Sequence, residues 1–358
     1  MKKKILLLYY NQFGYHTDLY MYSKYLNEQI FDVHYFCIDQ GLPKISSGNV
    51  KVHYQTFNSN KIRSFFTYFF QLGVLIKREK FDLIFQVDGK LAIIIRLLTI
   101  FQTTIFDIRT GDLSDTLFKL WFRNMQISFV SMFYKNVTII SENLRVLLKL
   151  KNKTITIIPL GGERLPTSIK TFEKIKLLYI GSLDRRNIHE TVIGLSYYLK
   201  QENSFEDVTY DIVGFGKNSV VKLLEESIEI SGLADKVTFH GRKKIDELYP
   251  FFEKCNIGLV YIPKTKAYDC QPSTKLFECL LAGMPVIATN TLENRVTLRS
   301  DCGVITEDNP ISFANALERI IIYRNKYSSQ KIKELYSEYE WCNIVKDKLE
   351  PYFKSLLE

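Results

Sequence analysis

Short apolar runs alternate with longer stretches of helical periodicity along the whole chain. In the first half these runs are continuously apolar and end in polar residues or glycine, which is typical of parallel strands buried on both faces of a sheet. The segments between them have the length and periodicity of helices, which predicts a doubly wound α/β domain. The predicted strands are Ile5–Tyr9, Val33–Cys37, Leu83–Phe85, Thr104–Ile108, Val137–Ile140 and Thr154–Ile158.

The same pattern begins again after a polar stretch at Glu163–Lys174. A chain of 358 residues is long for one hydrophobic core, because single cores stop growing near roughly 250 to 300 residues. The restart therefore predicts a second doubly wound domain, and Gln330–Glu358 predicts terminal helices with one beginning or kinking near Pro351. The second set of predicted strands is Leu177–Ile180, Thr209–Val213, Val237–Phe239, Ile257–Val260 and Pro285–Ala288.

Positive charge is concentrated in the first half of the chain. Residues 1–170 carry 23 Lys and Arg against 12 Asp and Glu, whereas residues 171–358 carry 25 against 27. This asymmetry indicates an anionic partner for the first half, either nucleic acid, anionic lipid headgroups or a phosphate-bearing acceptor. A merely solvated basic surface is the alternative.

No membrane-spanning segment is predicted, because the longest uncharged apolar stretches, Ser64–Ile76 and Leu97–Phe106, fall short of about 18 to 20 residues. The apolar run that follows Met1 and three lysines is too short for a signal peptide and predicts a strand instead. We therefore expect a cytoplasmic protein, with peripheral contact at the inner face of the plasma membrane. Lys61–Arg78 is aromatic in its middle and basic at both ends, which suits either a membrane surface or a core helix with basic ends.

The cysteines and histidines show no metal-ligand spacing. The six cysteines include no CxxC pair, and the five histidines are scattered. We therefore expect reduced thiols, no structural zinc, no catalytic metal and no cofactor.

The most informative stretch is Asp269–Ala288. Ser273 and Thr274 are good capping residues for the start of a helix, and Gly283 ends that helix before an apolar strand. Unpaired backbone N–H groups at such a start attract anions, and Lys275 adds a positive charge beside them. The stretch therefore predicts a site for a diphosphate.

Glu278 lies one helical turn beyond this anion site. A carboxylate at that spacing can accept hydrogen bonds from the vicinal hydroxyls of a ribose while the phosphates sit at the helix start. An ordinary solvated helix residue is the alternative interpretation.

The segment Glu278–Ala288 resembles glycosyltransferase family 4, the glycosyl transferases group 1. The C-terminal domain of that family carries a Glu-x7-Glu element followed by Gly-x-Pro-Val-Ile-Ala. The resemblance implies that Glu278 holds the ribose and that the backbone of Ser273–Lys275 holds the diphosphate. The family's first glutamate, which contacts the transferred sugar, falls on Cys270 here. Either Asp269 beside it supplies the carboxylate, or the sugar contact is lost.

The resemblance implies the GT-B fold, in which two doubly wound Rossmann-like parallel-sheet domains face each other across a cleft and C-terminal helices return to the N-terminal domain. It implies an acceptor-binding domain at residues 1–168, a donor-binding domain at 169–340 and a terminal helix at 341–358. The implied activity is retaining transfer of a sugar from a UDP- or GDP-sugar to a lipid-linked or saccharide acceptor. By analogy, that activity belongs to bacterial surface-polysaccharide assembly, with no nucleic-acid partner. A nucleotide-sugar epimerase and an inactive donor-binding or scaffold subunit are the alternatives.

A second patch follows the predicted strand Leu177–Ile180. Gly181 begins a turn that carries Arg185 and Arg186, and it resembles the family's Gly-x-Leu segment, whose basic residues clamp the donor phosphates. An arginine can meet phosphate oxygens with two hydrogen bonds and neutralise charge on the leaving group. The family often has a lysine where Asn187 stands, and an exposed, solvated arginine pair is the alternative.

Two further turns belong to the same resemblance. Gly214-Phe215-Gly216 follows a strand but lacks the third glycine of a dinucleotide fingerprint, since Ser219 stands there. In the family this turn lies near the donor. His240-Gly241-Arg242 resembles the loop that contacts the nucleobase, mostly through backbone groups.

Candidates on the sugar or acceptor side lie in the first half of the chain. Gly14 would let the backbone approach a ligand closely, and His16 follows it in the loop after the first strand. Asp107, Arg109 and Asp112 form a charged cluster after another strand. A buried Asp–Arg pair that holds this loop is an equally good interpretation.

Overall fold

The structure is a computed structural model that describes residues 2–56, 61–89, 92–114, 116–151 and 154–358, without the side chains of Lys61, Ile62 and Ile245. The chain forms two compact units: Met1–Pro159 with Trp341–Glu358, and Leu160–Glu340. The first boundary lies before the polar stretch Glu163–Lys174 and not at residue 168. The reason is that this stretch is tied to the second unit, where Thr167 donates to the carbonyl of Ala282 at 3.1 Å.

The first unit contains a seven-stranded sheet in which every described strand pair is parallel. Its strands are β1 (Lys3–Leu8), β2 (Phe31–Asp39), β3 (Lys51–Thr56), β4 (Leu83–Val87), β5 (Thr103–Ile108), β6 (Asn136–Ile139) and β7 (Thr154–Ile157). Their order in the sheet is β3-β2-β1-β4-β5-β6-β7. The helices between them are α1 (Thr17–Tyr25), α2 (Lys61–Glu79), α3 (Ala92–Leu98), α4 (Leu117–Ser131) and α5 (Glu142–Leu148).

Helix α2, which contains Lys61–Arg78, packs one of its faces into the core, as the interpretation of a core helix predicts. Tyr68, Phe69 and Leu72 are buried in a cluster with residues of β1 and β2. The opposite face leaves Phe66 and Phe70 exposed. The side chain of Lys61, at one basic end, lies outside the described residues.

The second unit contains a six-stranded parallel sheet. Its strands are β8 (Ile175–Ser182), β9 (Val208–Phe215), β10 (Val237–Phe239), β11 (Ile257–Val260), β12 (Val286–Thr289) and β13 (Gly303–Thr306), in the order β10-β9-β8-β11-β12-β13. Its helices are α6 (His189–Leu199), α7 (Asn218–Ile230), α8 (Tyr249–Lys254), α9 (Lys266–Asp269), α10 (Thr274–Leu281), α11 (Leu292–Thr297), α12 (Pro310–Ile322) and α13 (Ser329–Leu335). Short 3-10 turns occupy Ile245–Glu247, Arg324–Lys326 and Ser337–Tyr339.

The terminal segment returns to the first unit, as the predicted fold requires. It consists of α14 (Trp341–Ile344), a π-helical turn at Val345–Leu349 and α15 (Glu350–Leu357), with Pro351 in the first turn of α15. The Trp341 ring lies 6.0 Å from that of Tyr22 in α1. Glu350 accepts a hydrogen bond from the backbone N–H of Asn27 at 2.7 Å.

The predicted fold class is confirmed: each unit is a Rossmann-like parallel sheet with helices. Among the described residues, no helix combines the length and apolar character that a membrane crossing needs.

Candidate functional site

The turn after β8 places Arg186 against the ring of Tyr268 in α9. Arg185 and Asn187 both adopt positive φ angles, 59° and 53°, so the turn is tight. The guanidinium carbon of Arg186 lies 4.2 Å from the Tyr268 ring centroid. Its Nη1 is buried and has no hydrogen-bond partner among the described residues. Because a buried donor without an acceptor is costly, this atom is a candidate donor to an oxygen of a ligand.

Four predicted glycines line the carboxyl ends of β8, β9 and β10. The N–H of Gly214 donates to the carbonyl of Gly241 at 3.0 Å, and a Cβ on Gly214 would overlap the carbonyl oxygen of Gly181. A Cβ on Gly216 would lie 3.1 Å from Oδ1 of Asp184. Gly241 has a φ of +65°, which favours glycine. These glycines keep the backbone of the three turns compact.

The side chain of His240 is bound to β9. Its Nε2 lies 2.6 Å from Oδ1 of Asp211, whose Oδ2 accepts from Lys254 at 2.8 Å. Burial raises the pKa of Asp211, but the hydrogen bonds from Lys254 and His240 outweigh it and lower the pKa overall. The guanidinium of Arg242 lies 4.8 Å from the Phe215 ring centroid.

Helix α10 begins directly after Ser273, as the sequence predicts. Ser273 is the N-cap residue, and its side chain makes no cap hydrogen bond among the described residues. Lys275 Nζ lies 2.6 Å from Oε2 of Glu278, so the two predicted side chains form an ion pair along one face of the helix. Gly162, which sequence reasoning missed, packs here: a Cβ on it would lie 3.1 Å from the backbone nitrogen of Glu278.

Asp269 and Cys270 border this segment. Oδ1 of Asp269 accepts the backbone N–H of Leu292 at 2.8 Å and so holds the start of α11. Cys270 is 8% exposed. Burial raises the pKa of its thiol to about 11, so the group is uncharged at neutral pH. The thiol therefore does not supply the negative charge that a carboxylate would supply at this position.

In the first unit, Arg109 and Asp107 form the buried pair that was the alternative interpretation. Arg109 Nε lies 2.5 Å from Oδ2 of Asp107, and Nη1 donates to the carbonyl of Ile158 at 3.2 Å. Nη2 donates to the Tyr22 hydroxyl. Oδ1 of Asp107 accepts from Thr138 at 2.6 Å. These contacts hold the end of β5 in place.

Gly14 and His16 shape the start of α1. Gly14 has a φ of +88°, and a Cβ there would overlap the side chain of Ile45. His16 Nδ1 accepts the N–H of Leu19 at 3.4 Å as the N-cap of the helix. Burial and the nearby Arg109 lower the pKa of His16 to about 4, so the ring is neutral at physiological pH.

Sequence reasoning missed a pocket of about 1250 Å³ in the first unit. It lies at the carboxyl ends of β1 and β4, where the strand order reverses and where doubly wound sheets bind ligands. Its wall is mostly apolar, with the carboxylates of Asp88 and Asp112 and the guanidinium of Arg123. The sequence feature that could have identified Asp88 as a site residue is its position directly after the buried strand β4.

The two pocket carboxylates differ in environment. Burial raises the pKa of Asp88 to about 6. Asp112 is joined to Arg123 at 3.0 Å and accepts the N–H of Ser114 at 2.9 Å. Burial raises the pKa of Asp112, but these hydrogen bonds lower it overall.

The predicted donor-binding residues all lie in the second unit. The structure brings Gly181, Gly214 and Gly241 together, and it pairs Lys275 with Glu278. The predicted acceptor-side residues lie in the first unit. No group of three His, Cys, Asp or Glu side chains that could hold a metal occurs in the described ranges.

Residues 174–322 match the model of a family described as glycosyl transferases group 1. No curated protein sequence matches the chain significantly.

Several solved structures share the fold over the whole chain at low sequence identity. Sucrose-phosphate synthase from Thermosynechococcus elongatus is 15% identical, covers 99% of each chain and has a TM-score of 0.75. HepE from Anabaena, in complex with UDP and glucose, is 14% identical over 98% of this chain and 100% of its own, with a TM-score of 0.74. The lipopolysaccharide outer core galactosyltransferase WaaB is 12% identical over 98% of this chain and 99% of its own, with a TM-score of 0.71.

Proposed function

We propose that the chain, whose residues 174–322 match the family model described as glycosyl transferases group 1, transfers a sugar from a UDP-sugar to a lipid-linked or saccharide acceptor with retention of configuration. We propose UDP rather than GDP as the nucleotide of the donor, because HepE, a protein of the same fold, has been solved in complex with UDP and with UDP-glucose. WaaB, a lipopolysaccharide galactosyltransferase by name, supports a place in bacterial surface-polysaccharide assembly.

The observation that carries this proposal is the buried, unpaired Nη1 of Arg186 beside Tyr268. Phosphate oxygens are the acceptors that suit an arginine best, because charge and fork geometry both match. In the proposed reaction, negative charge builds on the leaving diphosphate, and Arg186 neutralises it. Removing a donor of this kind typically reduces kcat by about 10² to 10³.

Helix α10 would hold the rest of the nucleotide. Its first N–H groups bind the diphosphate, with the charge of Lys275 beside them. Glu278 accepts hydrogen bonds from the ribose through Oε1, because the ion pair with Lys275 engages Oε2. The turns at Gly214 and Gly241 border the base.

The proposed chemistry needs no protein base. The bond between the anomeric carbon and the diphosphate oxygen breaks, and the acceptor oxygen bonds to the same carbon on the same face. The acceptor proton passes to the leaving diphosphate. The neutral thiol of Cys270 in place of a glutamate gives the sugar a weaker hydrogen-bond acceptor, so donor preference should differ from that of relatives with the glutamate.

Thermal unfolding with UDP, GDP, ADP and NAD tests the donor site. A ligand at 100 times its dissociation constant stabilises by about 2.7 kcal/mol. We expect a shift with UDP that Arg186→Ala abolishes. Arg324→Ala is the matched control, because Arg324 stacks on Phe205 at 4.8 Å in the same unit and should leave the shift intact.

Other outcomes separate the alternatives. No shift with UDP or GDP would refute the donor site. Binding of UDP-sugar without transfer to any acceptor would indicate a donor-binding scaffold. Conversion of a UDP-sugar in the absence of acceptor would indicate an epimerase.

A further inference from the structure

The surface formed by α3, the turn after it and α4 exposes an unusual amount of apolar side chain. Phe101, in the turn, is 97% exposed. Soluble proteins rarely expose contiguous apolar patches of this kind unless they bind something. The other exposed apolar residues of this α3–α4 surface are Ile94, Leu97, Leu98, Ile100, Leu117, Phe118, Trp121, Phe122, Met125, Phe129, Met132 and Phe133.

Helix α4 has its apolar stripe on the outside. The exposed residues Phe118, Trp121, Phe122, Met125 and Phe129 follow the spacing of one helical face. A surface helix of a globular protein normally turns such a stripe inward. The buried positions of α4 are Leu120, Asn124 and Ser131, two of which are polar.

The two helices form one continuous surface. Arg96 of α3 donates from Nε to the carbonyl of Phe133, just beyond α4, at 3.0 Å. The Tyr134 hydroxyl donates to the carbonyl of Ala92 at 2.6 Å. The apolar residues of α3 and α4 are therefore held side by side.

The charged residues of helices α3 and α4 are all basic, and one of them, Arg123, is paired with Asp112 at 3.0 Å. Helices α3 and α4 contain Arg96, Lys119 and Arg123 and no Asp or Glu. Exposed Lys135 follows α4. Anionic lipid headgroups complement such a surface. A second copy of the chain, placed against it by twofold symmetry, would bring like charges together.

The pocket of about 1250 Å³ opens among the same helices. Its wall includes Phe65 and Phe69 of α2, Ile95 of α3 and Phe129 of α4. Phe129 thus belongs to both the pocket and the α3–α4 surface. A pocket with a mostly apolar wall and two carboxylates in its lining suits a molecule with an apolar anchor and a hydroxylated head.

We propose that the α3–α4 surface docks on an anionic bilayer, with its aromatic side chains at the level of the headgroups, and that the pocket beside it receives a lipid-anchored acceptor. The lipid-anchored acceptor rests on the proposed function; the docking does not. Trp, Phe and Leu on one face with Lys and Arg beside them are typical of segments that lie in a membrane interface.

Tryptophan fluorescence can report this docking directly. The chain has two tryptophans: Trp121 on the α3–α4 surface is 57% exposed, and Trp341 in the core is 2% exposed. With vesicles of phosphatidylcholine and phosphatidylglycerol, we expect a blue shift of the emission and quenching by lipids brominated in their acyl chains. Trp121→Phe should remove both signals, because Trp341 is out of reach.

Phe101→Ser combined with Phe118→Ser tests the surface by vesicle co-sedimentation. Both side chains are exposed, so the fold should persist, and affinity for vesicles should fall about tenfold or more. Ile230→Ser in α7, where the native side chain is 86% exposed, is the matched control and should bind vesicles like the native chain. UDP-induced stabilisation should be unchanged in all of these variants.

Three results would overturn the docking proposal. The first is no association of the native chain with anionic vesicles. The second is equal association of the double variant. The third is self-association in solution that the double variant abolishes, since it would assign the surface to a second copy of the chain. None of these depends on nucleotide, so they are distinguishable from failure of the donor site, which the Arg186→Ala experiment reports.

Discussion

At the scale of single residues, Glu278 forms an ion pair with Lys275, and its proposed contact with the ribose can be tested by substitution. Glu278→Ala removes the proposed hydrogen bonds to the ribose, and such bonds to a charged group are worth about 1.5 to 3 kcal/mol. We therefore expect the dissociation constant for UDP, measured by calorimetry, to rise about tenfold to a hundredfold. Glu278→Gln should have a smaller effect, because the amide still accepts a hydrogen bond.

Glu142→Ala is the control for loss of an ion pair as such. Glu142 pairs with Arg145 at the same spacing along a helix, in the first unit. Its substitution should leave UDP affinity unchanged. Unchanged affinity in Glu278→Ala would refute the ribose assignment.

Asp88 should impose a pH dependence on stability. Burial raises the pKa of Asp88 from 3.8 to about 6, so between these values the folded protein holds a proton that the unfolded chain has lost. Folding stability attributable to this group therefore falls as pH rises from 4 to 6, by roughly 2 to 3 kcal/mol. Asp88→Asn should remove that fall, measured as the difference between variant and native urea unfolding at each pH.

Asp112→Asn should show the opposite sign. The hydrogen bonds from Ser114 and Arg123 lower the pKa of Asp112, so its stabilisation is present above its unfolded pKa and is lost as pH falls. If the difference in unfolding free energy between variant and native protein changed with pH in the same direction for Asp88→Asn and Asp112→Asn, the opposite pKa shifts of the two carboxylates would be contradicted.

Sequence alone was sufficient to select the residues of the candidate donor site but not their partners. The Glu278–Ala288 motif is local, so its spacing is visible in the chain. The stacking of Arg186 on Tyr268 and the pair of His240 with Asp211 join residues far apart in sequence, and they depend on which strands become neighbours. The pocket around Asp88 was missed for the same reason.

At the scale of elements, the approach of β8 and β9 depends on Gly214. A Cβ at this position would overlap the carbonyl of Gly181 on the neighbouring strand. Gly214→Ala should therefore destabilise the second unit by about 1 to 3 kcal/mol, as overpacking does. Thermal unfolding of the variant measures this change.

Gly73→Ala is the contrasting substitution. Gly73 lies in the middle of α2, and a Cβ there would meet no described atom within 4 Å. Alanine is the better helix former, so this variant should be about 0.5 to 1 kcal/mol more stable. A loss of stability of similar size in both variants would show that the glycine contacts do not decide the outcome.

Two strands escaped sequence-based prediction, and both are edge strands. β3 reads Lys-Val-His-Tyr-Gln-Thr and is mostly half-buried, so it lacks the continuous apolar run of a central strand. β13 reads Gly-Val-Ile-Thr and is only four residues long. The central strands were found because burial on both faces requires an unbroken apolar sequence.

At the scale of the whole molecule, the terminal segment is part of the first unit's core. The Phe353 ring lies 5.7 Å from that of Phe85 and 6.1 Å from that of Phe31. Phe353→Ala should therefore cost about 3 to 5 kcal/mol, and hydrogen exchange should show the loss in the first unit. Exposed Lys354→Ala on the same helix is the control, and UDP binding in the second unit should survive both.

The domain organisation was predictable from the repeat of the strand pattern, whereas the boundary was not. The predicted boundary, between residues 168 and 169, divides the residues of the polar stretch Glu163–Lys174. These residues belong to the second unit because Thr167 and Lys170 are hydrogen-bonded to carbonyls of Ala282 and Phe252. Such bonds to distant backbone leave no trace in local composition.

Because the first unit combines residues 1–159 with 341–358, its assembly must wait until the terminal segment has been synthesised. At about 5 to 20 residues per second, the interval between synthesis of β7 and synthesis of α15 is roughly 10 to 40 s. The second unit is contiguous in sequence, so it can complete its own core first. During that interval, Tyr22, Phe31 and Phe85 lack their ring contacts with Trp341 and Phe353. We therefore expect chaperones to bind the nascent chain at this stage.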